Sequence, residues 1–573
     1  MLAAAAVAGT PAVLGQTHGV DSVIPPRNTV GVSTVADIAL TFSSAVRPSS
    51  IDSTTFRVYG RWSGPASGDF RFENGNRLVR LSPNRPFFAG EQVSVSVSDS
   101  VTFEDGTPFS GGHYWSFWVR SLPADLTMTE TDRVPIRLPG ENRIQSYGAY
   151  AGDLNGDGWS DLAIPNEIAA DVRVFLNQSG TFDSFQIYPL PGSSIPSANE
   201  GADFNGDGHI DLAVGNNASD NVNLLLGTID GRLNVMPAIP ASGDSRAVCV
   251  LDIDSDGDDD IITASRSRSS LYLLINDGAG TFRSPIPIDG GGAGETSCAV
   301  ADANGDGRAD LFVGSYFSSE VSLLLGDGRG SLFLSSTVPV PGRPWMLAAG
   351  DVDGDGYADV ASAGSTDNTA SVIRSDQRGQ LQTPRTLVTG IFPLAIDLGD
   401  IDGDGDLDLV TSNYSSASFT VFENRGGGLF NRHRDYPASQ AGSCAILHDR
   451  DNNGTLDMTA VDELDDLLIL YDTTLLPVGT ESDPGPDERP SIEIYPNPGS
   501  GDIRLTTFDS NSRNVNASIL DLMGRVVARP AVHASARHRH TAVWNPQSFA
   551  AGIYFAVFHL DGKTRAAKFI VTR

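Results

Sequence analysis

The stretch DFNGDGHIDLAVGNN at residues 203–217 decides the fold, because it recurs. Its first nine residues put oxygen-bearing side chains at positions 1, 3, 5 and 9 and glycine at position 6, and a short β-type run follows. The nine-residue pattern occurs seven times between residues 153 and 457, each start 49 or 50 residues after the last. Spacing this regular predicts one supersecondary unit per repeat, with neighbours stacked in a single array.

Each unit reads as four strands. The acidic loop leads into DLAVGNN at 211–217 and VNLLLG at 222–227, then a Gly-x-apolar turn such as Gly231 to Leu233. An outer segment such as SFQIYPL at 184–190 follows, and a run such as AVCVLD at 247–252 enters the next loop. No stretch between them has helical period. Seven four-stranded units predict an all-β, seven-bladed β-propeller, which removes long exposed edges by closing on itself. The seventh unit supplies only CAILH at 444–448, MTAVD at 458–462 and LLILY at 467–471. RVPIRLPG at 133–140 matches the outer strand FQIYPLPG at 185–192, so a strand at 133–138 is expected to complete the last blade.

The loops have the chemistry of a hard-cation site. The first offers Asp153, Asn155, Asp157, Trp159 and Asp161, and the second Asp203, Asn205, Asp207, His209 and Asp211. The third offers Asp252, Asp254, Asp256, Asp258 and Asp260, and the fourth Asp302, Asn304, Asp306, Arg308 and Asp310. The fifth has Asp351, Asp353, Asp355, Tyr357 and Asp359; the sixth, Asp400, Asp402, Asp404, Asp406 and Asp408; the seventh, Asp449, Asp451, Asn453, Thr455 and Asp457. Position 7 varies freely, as a backbone-carbonyl ligand would. Ca²⁺ takes six to eight oxygens in a flexible shell, which suits this array better than octahedral Mg²⁺. An EF-hand is excluded because position 12 is Ile164, Val214, Thr263, Val313, Ser362, Thr411 or Ala460, never Glu. Up to seven structural Ca²⁺ are expected, moving the formal charge from −32 towards −18.

That charge, from 71 acidic against 39 basic residues, argues against a nucleic-acid partner. Only Lys563 and Lys568 are lysines, and no basic patch of the membrane-binding type appears. Cys249, Cys298 and Cys444 are too few for a disulfide framework and read as small buried thiols. No stretch reaches the length of a transmembrane helix. Residues 1–16 contain the signal-peptide-like run LAAAAVAGTPAVLG without the usual leading positive charge, and residues 478–491 have linker composition.

On these motifs, residues 131–477 resemble the FG-GAP/VCBS repeats of integrin α chains. The resemblance implies calcium loops on one face and a protein or glycan partner on the opposite face. Loops 216–221, 289–296, 341–346 and 388–393 would then bind, with Trp345 and Phe392 as candidate anchors, although buried packing is the commoner role of such aromatics. Residues 20–121, with IALTF, VSVSV and WSFWV, resemble an SbsA-type bacterial Ig-like sandwich of the kind used as a spacer. Residues 492–573, with IEIYPNPGSGDIRL, ILDLMGRVV, AAGIYFAV and AAKFIV, resemble the sorting domain of the type IX (Por) secretion system. That implies the type IX machinery as a partner and export to the outside or outer-membrane surface of a Gram-negative cell. No HExxH, GxSxG, P-loop or CxxC motif is present, so no catalytic residue is assigned. The reading is a calcium-stabilised binding or adhesion module; a polysaccharide-active enzyme and a structural spacer are the alternatives.

Overall fold

The computed structural model describes residues 18–475 and, towards the C-terminus, residues 493–495, 503–508, 515–521, 525–535, 539–546, 549, 552–560 and 563–571. The leader at 1–16 and the linker at 478–491 lie outside the described residues. Among the described residues there is no α-helix, only a 3₁₀ turn at Pro48–Ser50, and no helix long and apolar enough to cross a membrane.

Each repeat forms one antiparallel sheet. The first contains Tyr150–Gly152, Asp161–Asn166, Asp171–Phe175 and Phe185–Pro189 in sequence order. The pattern repeats through Phe430–Pro437, with a short fifth strand, Ile239–Pro240, added to the second sheet. Second strands are buried on both faces, which is why they read as continuous apolar runs such as DIIT and DLVT. The first strands contact one another in series, and Gly442–His448 of the last sheet contacts Tyr150–Gly152 of the first. Six of them line a central cavity of about 260 Å³.

The last sheet takes its fourth strand from the N-terminal side, where Ala124–Pro135 pairs antiparallel with Leu467–Leu475. This corrects the expected 133–138. Leu126 and Met128 are buried upstream of the matched motif, and their alternation with exposed residues carries the pairing back to Ala124.

Four pairs of neighbouring sheets are tied at the loop end by the side chain at one recurring position. Asn276 donates from Nδ2 to the carbonyl of Asp259 in its own loop and to that of Phe204 in the preceding one, at 3.1 and 2.8 Å. Asn424 makes the same pair of bonds to Leu407 and Val352, and Ser375 to Ala358 and Ala303. Asn177 reaches Ser160 and, across the join, Arg450 of the last repeat.

The cysteine expectation is corrected: Cys249 and Cys298 form a disulfide, with Cα atoms 6.2 Å apart. Their separation of 49 residues is one repeat, so adjacent first strands bring them to the same level. Cys444 is the free, buried thiol.

Residues 18–120 fold as two four-stranded sheets around Leu40, Phe42, Val79, Val95, Trp115 and Phe117. The C-terminal unit, described by itself, has two four-stranded sheets, with Leu505 of the strand Ile503–Phe508 buried together with Ile519, Trp544 and Phe558.

Asn424→Ala should remove both bonds and leave two buried carbonyls without that donor, costing about 1–3 kcal/mol. Urea unfolding with calcium present reads this; an unchanged midpoint would count against the tie.

Candidate metal centres

Each acidic loop lies between the first and second strands of its sheet, and positions 4 and 6 take left-handed φ where the chain folds back, as at Gly206 and Gly208; position 4 is Ser255 in the third loop and Asn452 in the seventh, and glycine in the others. The carboxylate at position 1 accepts the amide of position 6 in every loop and that of position 5 in the first, second, fourth and fifth, as in Gly158 N to Asp153 Oδ2 and Asp157 N to Asp153 Oδ1, both 2.9 Å. Position 5 accepts the amide of position 7, as in Trp159 N to Asp157 Oδ1 at 2.9 Å. These bonds curl the loop so that its oxygens face inward.

Position 9 clamps two strands. Asp260 accepts the amide of Ile253 on one oxygen and that of Asn276 on the other, at 3.1 and 2.8 Å. Asp161, Asp211, Asp310, Asp359 and Asp408 repeat this double acceptance. In the seventh loop only the Thr473 amide reaches Asp457, and its Oδ2 has no hydrogen-bond partner.

The structure brings one carboxylate oxygen from each member of a trio within 4.8 Å of the others in four loops. The trios are Asp252, Asp254 and Asp260; Asp351, Asp353 and Asp355; Asp400, Asp402 and Asp404; and Asp449, Asp451 and Asp457. These residues also carry carboxylate oxygens that are buried without a hydrogen-bond donor: Asp252 Oδ1, Asp254 Oδ1, Asp400 Oδ1, Asp449 Oδ1 and Asp457 Oδ2. Anionic oxygens gathered in this way, out of water and undonated, are the donor set of a hard cation, so the residues fit Ca²⁺.

Burial raises every position-9 carboxyl strongly, and Asp252 at position 1 likewise. Asp161, Asp211, Asp310 and Asp457 are pushed up to about 8, and Asp260 and Asp359 to about 9. Asp408 is also well above the usual range. At position 1, burial takes Asp302 and Asp351 to about 6 and Asp400 and Asp449 to about 7.

The sequence did not reveal what covers these loops. The N-terminal sandwich, expected as a spacer, sits on them. Asn28 Nδ2 donates to the Gly356 carbonyl (3.1 Å), Tyr114 N to Gly307 (2.8 Å), Ser121 Oγ to Asp400 (2.5 Å) and Leu122 N to Gly454 (2.6 Å). Asp99 N donates to Ser255 at 2.8 Å, and Asp153 N to Trp62 at 2.7 Å. Trp62, Phe88 and Trp118 are buried among residues of the repeat sheets. Arg27 lies 3.6 Å from Asp302, and Arg308 at position 7 turns its guanidinium to the Gly112 carbonyl.

Family models match residues 153–214, 203–263, 252–313, 304–362 and 351–411 as FG-GAP-like repeat, residues 17–119 as bacterial Ig-like domain, and residues 493–572 as secretion system C-terminal sorting domain. The chain carries FG-GAP-like repeats, a bacterial Ig-like domain and a type IX secretion sorting domain. The sorting domain directs it to secretion or to the outer-membrane surface. No curated protein matches its sequence.

Among solved structures, a functionally unknown protein from Desulfotomaculum acetoxidans is 13% identical, with TM-score 0.39, covering 64% of this chain and 95% of its own. A protein from Lactobacillus plantarum is 13% identical, with TM-score 0.40 and coverage of 68% and 98%. The periplasmic gluconolactonase of Pseudomonas aeruginosa is 13% identical, with TM-score 0.36 and coverage of 67% and 97%. Scores at this level carry no argument about activity.

The raised carboxyls fix the sign of a pH effect. Without a cation, the folded state holds protons that the unfolded chain releases near 3.8, so their stabilisation is present below that pH and is lost as pH rises through about 6 to 9. In chelator the melting temperature should therefore fall between pH 5 and pH 9, and saturating Ca²⁺ should largely abolish the fall. A chelated protein with a flat profile would contradict this.

Proposed function

We propose that the seven sheets are the blades of a closed propeller, pinned by structural Ca²⁺ in their acidic loops, and that the protein is a secreted or surface-attached binding module. The undonated buried oxygens of Asp252, Asp254, Asp400, Asp449 and Asp457 carry the metal part of this reading. Positions 1, 3, 5 and 9 of each loop would hold the ion with their side chains, and position 7 with its carbonyl. Bound Ca²⁺ supplies positive charge that offsets the cost of burying these carboxylates.

With each site's Kd between ambient calcium and a tenth of it, linkage contributes about 0.4–1.4 kcal/mol per site. Seven sites then contribute roughly 3–10 kcal/mol, on the scale of a domain's whole net stability.

The binding role is supported by the division of the two faces. The Ig-like domain covers the loops, whereas the turns between second and third strands, at the other end of the sheets, carry exposed Ile168, Phe317 and the neighbouring Ile391.

Calorimetric titration of chelator-stripped protein should give a stoichiometry near seven, and Asp400→Ala with Asp404→Ala should lower it by about one while leaving the remaining sites. Absence of a calcium heat would overturn the metal reading. A glycan and protein-ligand array probed with the calcium-loaded protein tests the binding role; a spacer would capture nothing.

A further inference from the structure

The end of the sheets opposite the acidic loops carries a cluster that the calcium scaffold does not use. In each repeat the residue just after the second strand stands there, and these positions include Arg266, Tyr316 and Tyr414. Trp345, next to the start of the fifth sheet's first strand, and Phe392, just before the sixth's, join them. Their rings form an unbroken arc: Tyr316 to Trp345 at 5.7 Å, Trp345 to Phe392 at 5.8 Å and Phe392 to Tyr414 at 6.1 Å. All four rings are partly exposed, so packing alone does not account for them. Trp345 Nε1 donates to Tyr147 Oη at 2.6 Å, linking the fifth repeat to the segment that enters the first.

Two guanidiniums converge on this arc. Arg266 and Arg343 each lie 4.9 Å from the centre of the Tyr316 ring, and Arg266 is 5.6 Å from that of Trp345. Neither has a carboxylate within 4.0 Å among the described residues. Arg246 stands close by, already paired with Asp244 at 3.2 Å. Burial and that neighbouring Arg246 disfavour the charge on Arg266. In a chain of net charge −32, two unpaired arginines held side by side on aromatic faces are an arrangement that an anion would relieve.

Around the same turns, Glu463 accepts from Arg143 at 3.1 Å and from Tyr414 Oη at 3.4 Å, and Glu167 from Gln145 at 2.5 Å. These groups offer acceptors and donors to hydroxyls but would repel an anion, so the anionic group belongs on the Arg266 and Arg343 side.

Resting on the binding-module reading, we propose that this cluster binds an acidic saccharide, with a carboxylate held by Arg266 and Arg343 and sugar faces stacked on Trp345 and Phe392. Arginine forks match a carboxylate in two-point contact. Flat, partly exposed rings bury the apolar faces of a sugar while leaving its hydroxyls to polar neighbours. An acidic peptide is the weaker fit, because Arg266, Arg343, Tyr316, Phe392 and Tyr414 all lie outside the strands and so present no strand edge to which an extended chain could pair.

The test titrates the full, calcium-loaded protein with a galacturonate hexamer, a neutral galactose hexamer and a glutamate hexapeptide, reading heat and tryptophan fluorescence. The uronate should bind saturably, weaken with added salt, and bind about tenfold or more tightly than either comparator. Arg266→Gln with Arg343→Gln should weaken it by about tenfold or more at an unchanged melting temperature, and Arg232→Gln on an exposed turn should leave it unchanged. Equal affinity for the neutral hexamer, tighter binding of the peptide, or indifference to the double substitution would overturn the proposal. If the uronate fails while the array captures another ligand, only the anionic assignment falls; if both fail, the binding-module reading falls with it.

Discussion

In each repeat a buried carboxylate at the ninth loop position holds the backbone where two strands leave the acidic turn. In six of the seven it does so by accepting amides from both sides, as Asp260 does from Ile253 and Asn276. The clamp is strongest with an ionised group, in a place where burial opposes ionisation, as the upward shifts of Asp260 and Asp359 to about 9 register. A cation held by the other loop oxygens would resolve that conflict, and much else follows from the geometry it would fix. The curled loop sets the position of Asn276 or Asn424, whose side chain ties one sheet to the one before it. The same loop presents the carbonyls on which the Ig-like domain rests.

Much of this was legible because the repeat has a constant length. One period of about 49 residues gives the sheets, the loops and the need for a strand from elsewhere. The same period, taken one step further, would have paired Cys249 with Cys298, since residues one repeat apart on adjacent first strands are neighbours. Counting cysteines without asking where the period puts them led to the opposite expectation. The closing strand was found by its motif but its extent was not, because the alternation of Leu126 and Met128 has no counterpart in the other outer strands. The seat of the Ig-like domain was not legible at all. Contacts such as Asn28 to Gly356 join residues more than 300 positions apart and follow no period.

The two ends of the sheets therefore differ in kind. At one end stand buried carboxylates, inter-sheet ties and a seated domain. At the other, turns that vary from repeat to repeat carry exposed rings and unpaired arginines, the variability expected where a rigid scaffold displays loops for recognition. Burying Trp62, Phe88 and Trp118 at the first end also excludes water from one side of the loops, which strengthens every charge interaction within them.

Anomalous X-ray diffraction from crystals of the protein grown in millimolar calcium, then exchanged with a lanthanide, tests the central claim most directly. The account predicts an anomalous peak inside the acidic loops, among the oxygens of positions 1, 3, 5 and 9, as in Asp400, Asp402, Asp404 and Asp408. Loops ordered in the conformation described above, with their carboxylates gathered and no peak between them, would contradict it.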